Sequence, residues 1–375
     1  MAEIQPVVMP KFGLSMTEGA VLDWHKAEGE TVAPGEELMD VETTKITNAY
    51  ESPVGGTLRR QVAREGETLP VGALVAVLAD PSVPESEIDA FITDFQANFV
   101  PPEAGGEGEE DAPRAQKAET PQGAINYLEA GGGSGPPVVL VHGFGGDLNN
   151  WMFLQPLLAE NRRTIALDLP GHGASAKQTG SGDVASLAAA VAGLLDALSI
   201  ESAHLVGHSL GGAVTLHLAS TAPQRVETLT LIAPAGLGSE VDADYIDGFL
   251  KASRRKEMKP VLQRLFADPS LIRREMVEEV LKFKRLDGVD EALTAIAEAC
   301  FPQGRQGLSY REALAGLSCP VQVIWGEADI IVPVSHAEGL PEAVTVTRLP
   351  GTGHMAQMEK ASEVARLIEG LMGRA

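Results

Sequence analysis

The sequence has two cysteines, Cys300 and Cys319, in 375 residues. Two thiols cannot build a disulfide framework or a zinc site, and both stand among apolar neighbours, where a cysteine behaves as a small buried hydrophobe. No metal site is expected. Long apolar runs are missing too. None approaches the length that spans a bilayer, and the N-terminus lacks the basic start and apolar run of a secretory signal, so a cytoplasmic chain without membrane contact is expected. Positive charge is scarce: 29 Lys and Arg stand against 52 Asp and Glu, a formal net charge of −23. That balance argues against nucleic acid or an anionic membrane surface as a partner. What the chain does have is an apolar fraction of 44%, ordinary for a soluble protein, and length enough for two domains, one with a large core.

Residues 1–80 alternate apolar and polar positions in short runs broken by Gly and Pro, which is an all-β pattern. An internal repeat supports it. Glu28-Gly29-Glu30-Thr31-Val32 recurs as Glu65-Gly66-Glu67-Thr68-Leu69, and Gly35 recurs as Gly72. Each copy leads into an apolar strand, Leu38–Val41 or Leu74–Leu78, so two sheet units facing each other would share a small core. The polar centre of Val41–Tyr50 reads as a hairpin with Thr44 and Lys45 at its tip. Residues 81–120 read as a short helix and a flexible acidic linker. Ile88, Phe91, Ile92, Phe95 and Phe99 have helical spacing. Residues 101–120, rich in Pro, Gly, Glu and Ala, cannot bury enough surface to order themselves. From 121 to 375 continuous apolar runs alternate with amphipathic stretches. Val138–Val141, Thr164–Leu167, His204–Val206, Leu229–Ile232, Val321–Trp325 and Val344–Leu349 read as strands buried on both faces of a parallel sheet. Asp183–Leu198, Ser209–Ala219 and Ala361–Met372 read as helices, which makes this part an α/β doubly wound sheet. Residues from about 236 to 315 are helical and strongly charged, a cap over the carboxyl ends of the strands.

Several separated motifs mark the first segment: Met9-Pro10-Lys11-Phe12-Gly13, Met16-Thr17-Glu18-Gly19, Gly35, Glu42-Thr43-Thr44-Lys45 and Pro53-Val54-Gly55-Gly56. Together they resemble the lipoyl domains of dihydrolipoamide acyltransferases over the whole of residues 1–80. The resemblance implies a flattened all-β barrel with lipoate attached covalently to Lys45. Biotin-carrying domains share that fold but usually flank their lysine with methionines, and Lys45 has none beside it. The dithiol chemistry would belong to the cofactor, and the protein would supply presentation and mobility.

The second motif is Gly207-His208-Ser209-Leu210-Gly211 between a strand pattern and a helix pattern. A serine there sits on a nucleophile elbow, a turn too tight for bulky neighbours, with a helix N-terminus beneath it. Leu210 N–H is the expected first oxyanion donor, and the loop His142-Gly143-Phe144-Gly145-Gly146 should supply the second through Phe144 N–H. The whole region resembles the α/β-hydrolases, including the loop Asp168-Leu169-Pro170-Gly171-His172-Gly173. By that resemblance the acid and the base follow the serine in order. Asp329, in Trp325-Gly326-Glu327-Ala328-Asp329, is placed like the acid, with Glu327 as the alternative. His354, in Gly351-Thr352-Gly353-His354, is placed like the base. His142, His172 and His208 suit loop and turn support better, since none lies on the strand-end loop the geometry requires.

Joined in one chain, these two halves resemble the acyltransferase component of acetoin dehydrogenase complexes. The conventional acyltransferase motif His-x-x-x-Asp-Gly is absent, so transfer would fall to Ser209. The resemblance implies an acetyl group moving from lipoyl-Lys45 to coenzyme A. It also implies partnership with a thiamine-dependent dehydrogenase and a dihydrolipoamide dehydrogenase, and a homo-oligomer within that complex. The other reading is a serine hydrolase, an esterase or thioesterase with an attached lipoyl domain, because water and a thiol would use the same base. A third makes the chain a lipoyl carrier with an inert scaffold, which the intact order Ser, Asp, His argues against. Residues 239–315 hold 13 of the 29 Lys and Arg. Lys251, Arg254, Arg255, Lys256 and Lys259 among them are either a solvated helical face or a meeting point for a phosphate-bearing substrate or an acidic partner.

Overall fold

The computed structural model describes residues 4–10, 12, 16–43, 47–99, 113–307 and 309–373. Lys45 and residues 100–112 of the expected linker lie outside them. Contacts divide the chain into two units, 1–112 and 113–375.

The first unit is two four-stranded sheets. Its strands are β1 (Gln5–Val8), β2 (Glu18–Trp24), β3 (Thr31–Val32), β4 (Glu37–Glu42), β5 (Thr47–Glu51), β6 (Gly56–Gln61), β7 (Thr68–Pro70) and β8 (Leu74–Ala79). One sheet runs β1-β8-β6-β3 and the other β5-β4-β2-β7, all antiparallel. The sequence repeat places equivalent turns in the two sheets. Gly29 N–H donates to Leu58 O at 2.7 Å and Gly66 N–H to Val21 O at 2.6 Å. Glu30 closes its turn on Ala27 N–H at 2.6 Å, as Glu67 does on Arg64 N–H at 2.9 Å. Val7, Val21, Leu38, Val41, Leu58, Val75 and Leu78 fill the core between the sheets.

Helix α1 (Glu85–Asn98) belongs to this unit. Ile88, Phe91, Ile92 and Phe95 pack on Leu74, Val77 and Val83. Arg59 and Arg60 hold Glu85 at 2.5 and 2.8 Å. The helix read from its apolar spacing is therefore docked rather than part of a free tether, because its stripe finds the outer face of β8.

The second unit contains one eight-stranded sheet: β9 (Ala115–Thr120), β10 (Gly123–Ala130), β11 (Val138–Val141), β12 (Thr164–Leu167), β13 (Ala203–His208), β14 (Val226–Ile232), β15 (Val321–Gly326) and β16 (Val344–Leu349). The order is β16-β15-β14-β13-β11-β12-β10-β9. β9, β10 and β12 pair antiparallel, and the rest are parallel. The linker read from composition ended at residue 120, but Ala115–Thr120 forms the edge strand β9. Its side chains are mostly exposed and its sequence, AQKAET, has no apolar alternation, so hydrophobic period cannot detect it.

The helices are α2 (Leu154–Ala159), α3 (Val184–Ala197), α4 (Leu210–Thr221), the cap helices α5 (Ala243–Lys251), α6 (Arg255–Gln263), α7 (Arg274–Lys284) and α8 (Val289–Cys300), then α9 (Ala356–Glu359) and α10 (Ala361–Met372). Val138, Leu140, Val206, Ile232 and Ile324 of the central strands pack on Trp151, Leu154, Val364 and Ile368. All four cap helices fall between β14 and β15, so they insert at one place and leave the sheet intact. Among the described residues no helix is long and apolar enough to cross a membrane.

Candidate active site

Four loops leave the carboxyl ends of parallel strands and meet. β11 lies between β12 and β13, where the strand order reverses and a crevice opens in such sheets. Ser209 follows β13 and precedes α4. Its φ is +52° and its ψ −118°, a strained backbone for a residue with a side chain, of the kind that costs about 1–3 kcal/mol and persists only where surroundings hold it. Ser209 N–H donates to Ile232 O at 3.0 Å, and Ser209 O accepts from Gly212 and Ala235 N–H, each at 2.9 Å. Two glycines make room. A Cβ on Gly211 would strike the carbonyl oxygens of Val141 and His142, and one on Gly143 would stand 2.8 Å from Ser209 Cβ.

The loop after β11 runs past the serine. Among the described residues, the backbone N–H groups of Phe144 and Leu210 have no hydrogen-bond partner, although both residues are buried. Backbone N–H groups are almost always paired, so a free donor on Phe144, which lines the cleft with Ser209, and another on Leu210, next to Ser209 in the chain, are candidates to receive an oxygen. Two histidines shape this loop. His142 Nε2 accepts from Leu169 N–H at 3.0 Å, which leaves Nδ1 to donate to Gly143 O at 2.7 Å. His172 Nε2 accepts from Gly145 N–H at 3.1 Å, with Nδ1 donating to Pro170 O at 3.1 Å. Burial lowers the pKa of both, that of His172 well below the usual range, so each acts as a neutral ring. Asp168 braces the same region, accepting from Leu148 and Ala174 N–H and from Asn126 Nδ2, each at 2.8 Å.

Asp329 and His354 come together from the loops after β15 and β16. His354 Nδ1 is 2.8 Å from Asp329 Oδ2, with the side chains 2% and 0% exposed. Asp329 Oδ2 also accepts from Trp325 Nε1 at 3.0 Å, and Oδ1 from Ile331 and Val332 N–H at 2.8 and 3.1 Å. A carboxylate with four donors is fixed in place. Glu327 is exposed. His208, next to the serine, donates from Nε2 to His354 O at 3.0 Å, and its ring lies tilted with its centroid 4.6 Å from that of His354. Burial again drives its pKa well down. The hydroxyl of Ser209 and the ring of His354 open onto one cleft, and no hydrogen bond joins them in the structure. Such links are often loose before substrate binds.

The cleft is narrow, with a cavity volume of about 60 Å³. Its floor is Phe144, Ser209, His354 and the glycines of the 143–146 loop; its roof is Leu262, Leu265, Phe266, Ile272, Met276 and Val280 of the cap. The roof is fastened to the histidine loop. Leu265 O accepts from His354 and Met355 N–H at 2.9 and 3.2 Å. Glu359 accepts from Gly353 N–H at 2.9 Å and from Ala267 N–H at 3.0 Å. Burial raises the Glu359 pKa. On the other side, Lys284 Nζ donates to the carbonyls of Phe249, Leu250 and Ala252 at 2.6–3.0 Å, capping α5, whose Phe249 packs on Phe144.

Comparison with known proteins follows the same division. A biotin-requiring-enzyme (biotin/lipoyl) model matches residues 5–78, and the α/β-hydrolase-fold model matches residues 136–361. The dihydrolipoyllysine-residue acetyltransferase component of the acetoin cleaving system of Pseudomonas putida is 52% identical over 364 residues, 97% of each chain. Its counterpart in Cupriavidus necator is 46% identical over 371 residues, 99% of this chain and 98% of that one. The chain belongs to this acetyltransferase family. Its second unit is also similar to the solved meta-cleavage product hydrolase of Pseudomonas fluorescens, at 25% identity and a TM-score of 0.63, over 69% of this chain and 97% of that one. Members of the acetoin-cleaving acetyltransferase family are components of a larger system, so further components accompany this chain.

In this acetyltransferase the structure brings Ser209, His354 and Phe144 to one crevice, with Asp329 bonded to His354 and Leu210 following Ser209 at the start of α4, while Lys45 lies outside the described residues. Sequence reasoning missed Trp325, Glu359 and Lys284. Trp325 carries no signal beyond a strand-like run, and the partners of Glu359 and Lys284 are far away in sequence, Ala267 being 92 residues from Glu359.

Proposed function

We propose that the chain carries an acetyl group on lipoyl-Lys45 and passes it through Ser209 to coenzyme A, within a system that cleaves acetoin. The observation that carries this reading is the pair of orphan N–H groups, Phe144 and Leu210, beside Ser209 under an apolar roof. Lipoate suits the first unit: β4 and β5 pair as far as Glu42 and Thr47, and the four-residue connection between them contains Lys45. Bound there as an amide, lipoate supplies a dithiol that carries acetyl as a thioester.

Ser209 Oγ attacks the carbonyl carbon of a thioester in the cleft, and His354 Nε2 takes the hydroxyl proton. Asp329 holds the proton on Nδ1 and stabilises the imidazolium. Phe144 and Leu210 N–H receive the charge on the carbonyl oxygen. The carbon–sulfur bond breaks, the departing thiolate takes the proton from His354, and acetyl remains on Ser209 as an ester. Coenzyme A then gives its thiol proton to His354 and attacks that ester. The ester bond breaks, acetyl-CoA leaves, and Ser209 regains its proton. The roof residues limit water around the ester, which favours the thiol as acceptor.

Hydrolysis of the same ester is the second reading, and the likeness to a meta-cleavage product hydrolase favours it. A thiamine-dependent dehydrogenase to load the arm, a dihydrolipoamide dehydrogenase to reoxidise it, a homo-oligomeric assembly and a cytoplasmic setting complete the proposal. The test is to supply acetylated dihydrolipoyl donor to the purified full chain with and without coenzyme A. Acetyl-CoA in excess of acetate is expected, with both products lost in Ser209→Ala. Acetate alone, whatever the coenzyme A concentration, refutes transfer.

A further inference from the structure

One cap helix serves both the cleft and the basic segment. On α6, Met258 and Leu262 face inward, and Leu262 and the following Leu265 roof the cleft over Ser209. The same helix opens with Arg254, Arg255 and Lys256 and carries Lys259, all exposed. Most other cations of the cap are engaged within the fold. Lys251 pairs with Asp247 at 2.7 Å, Arg264 with Asp242 at 2.6 Å, and Arg274 with Glu278 at 2.6 Å. Lys284 is buried on backbone carbonyls. Arg255 stands 3.7 Å from Glu278. Among the described residues Lys256 and Lys259 have no ion-pair or side-chain hydrogen-bond partner, and Arg254 has only the electrostatic attraction of Glu257. The one acid between them, Glu257, turns back onto Ser253 and Arg254 N–H at 3.1 and 3.3 Å.

Three exposed cations within six residues, facing one carboxylate between them, are out of keeping with a chain of net charge −23. A local positive patch in an acidic molecule attracts a compact polyanion and holds it against the general repulsion. The spacing along α6 suits one. From Leu262 to Arg255 the helix rises about 10 Å at ~1.5 Å per residue. The pantetheine arm of coenzyme A has about twelve bonds between its phosphate oxygen and its sulfur, equivalent to about four extended residues or ~13–14 Å. An arm laid along α6 from beneath Leu262, which lines one cleft with Ser209, brings its phosphates level with the N-terminal turn of the helix.

We propose that Arg254, Lys256 and Lys259 bind the phosphate end of coenzyme A, while Leu262 and Leu265 wall the arm that reaches Ser209. This rests on the transfer reading given above. The test uses the full chain, free S-acetyldihydrolipoamide as donor, and two acceptors, coenzyme A and pantetheine, which has the thiol but no phosphates. In Arg254→Ala/Lys256→Ala/Lys259→Ala the ratio of kcat/KM for coenzyme A to that for pantetheine falls about 10- to 100-fold, the loss of up to three exposed charge pairs. The fall lies in the KM for coenzyme A and shrinks as salt is raised. A ratio within about threefold of wild type overturns the proposal. So does a rise in the KM for the acetylated donor with that for coenzyme A unchanged, which would assign the patch to the donor. Wild-type protein that acetylates neither thiol refutes the transfer reading itself, an outcome visible without any variant.

Discussion

Replacing Asp329 by Asn tests the centre of the site with one atom. Asp329 accepts four N–H groups, from Trp325 and His354 on Oδ2 and from Ile331 and Val332 on Oδ1. An asparagine keeps one oxygen. Set toward Ile331 and Val332, that oxygen satisfies two donors and turns the amide NH₂ toward Trp325 and His354. The opposite setting aims the NH₂ at two fixed backbone donors, which is worse. In the better setting His354 can only present a lone pair at Nδ1, so its proton moves to Nε2 and the base facing Ser209 is lost. A wrong tautomer costs about 10³–10⁴ in kcat, or ~4–5 kcal/mol at ~1.36 kcal/mol per decade. The unsatisfied Trp325 N–H costs stability as well, about 1–3 kcal/mol. The assay is the burst and steady state of acetyl transfer at pH 7, paired with a thermal melt that shows the variant is folded. Glu327→Gln is the control, expected within about twofold of wild type because Glu327 is exposed. A folded Asp329→Asn protein retaining a tenth of wild-type kcat, or a larger loss in Glu327→Gln, refutes the assignment.

Three other expectations follow from the same geometry. His142, His172 and His208 are buried with lowered pKa, so below about pH 6.5 the unfolded chain binds more protons than the folded one, and stability falls as pH drops by up to ~1.4 kcal/mol per unit for each ring. Denaturant titrations from pH 8 to pH 5 measure this, and a flat profile contradicts it. Gly143→Ala places a methyl 2.8 Å from Ser209 Cβ and 3.3 Å from its Oγ; a folded protein with kcat lowered at least about tenfold is expected, and unchanged acetyl transfer would show that the loop tolerates displacement. Glu359→Ala strands the N–H groups of Gly353 and Ala267 and should lower unfolding free energy by about 1–3 kcal/mol, measured by urea unfolding; a loss below about 0.5 kcal/mol would mean water replaces the carboxylate.

Much of this molecule could be read from local pattern, because strands, helices and tight turns answer to periodicity and sterics over a few residues. Val344–Leu349 and Ala361–Met372 keep the bounds that their apolar spacing suggests. The Glu-Gly-Glu-Thr repeat becomes two equivalent turns, and Gly207-His208-Ser209-Leu210-Gly211 becomes a strained elbow. Local pattern fails where a segment has no face to bury, as in β9, and it leaves open what a face packs on, as when α1 docks on β8.

The carboxylate illustrates the same limit at the site. Glu327 and Asp329 are two residues apart and chemically alike, so the linear chain leaves both in play. Packing separates them, burying Asp329 beneath Trp325 and against His354 while Glu327 faces solvent. The contacts that hold the base join residues remote in sequence: His208 and His354 are 146 positions apart, and Ala267 and Glu359 are 92 apart. Spacing along the chain names the chemical groups, since a nucleophile, a base and a small-residue turn have their own local signatures. Their distances, their burial and the orphaned state of Phe144 and Leu210 N–H arise only when the strand ends converge, because hydrogen-bond partners and dielectric are properties of what surrounds a group in space.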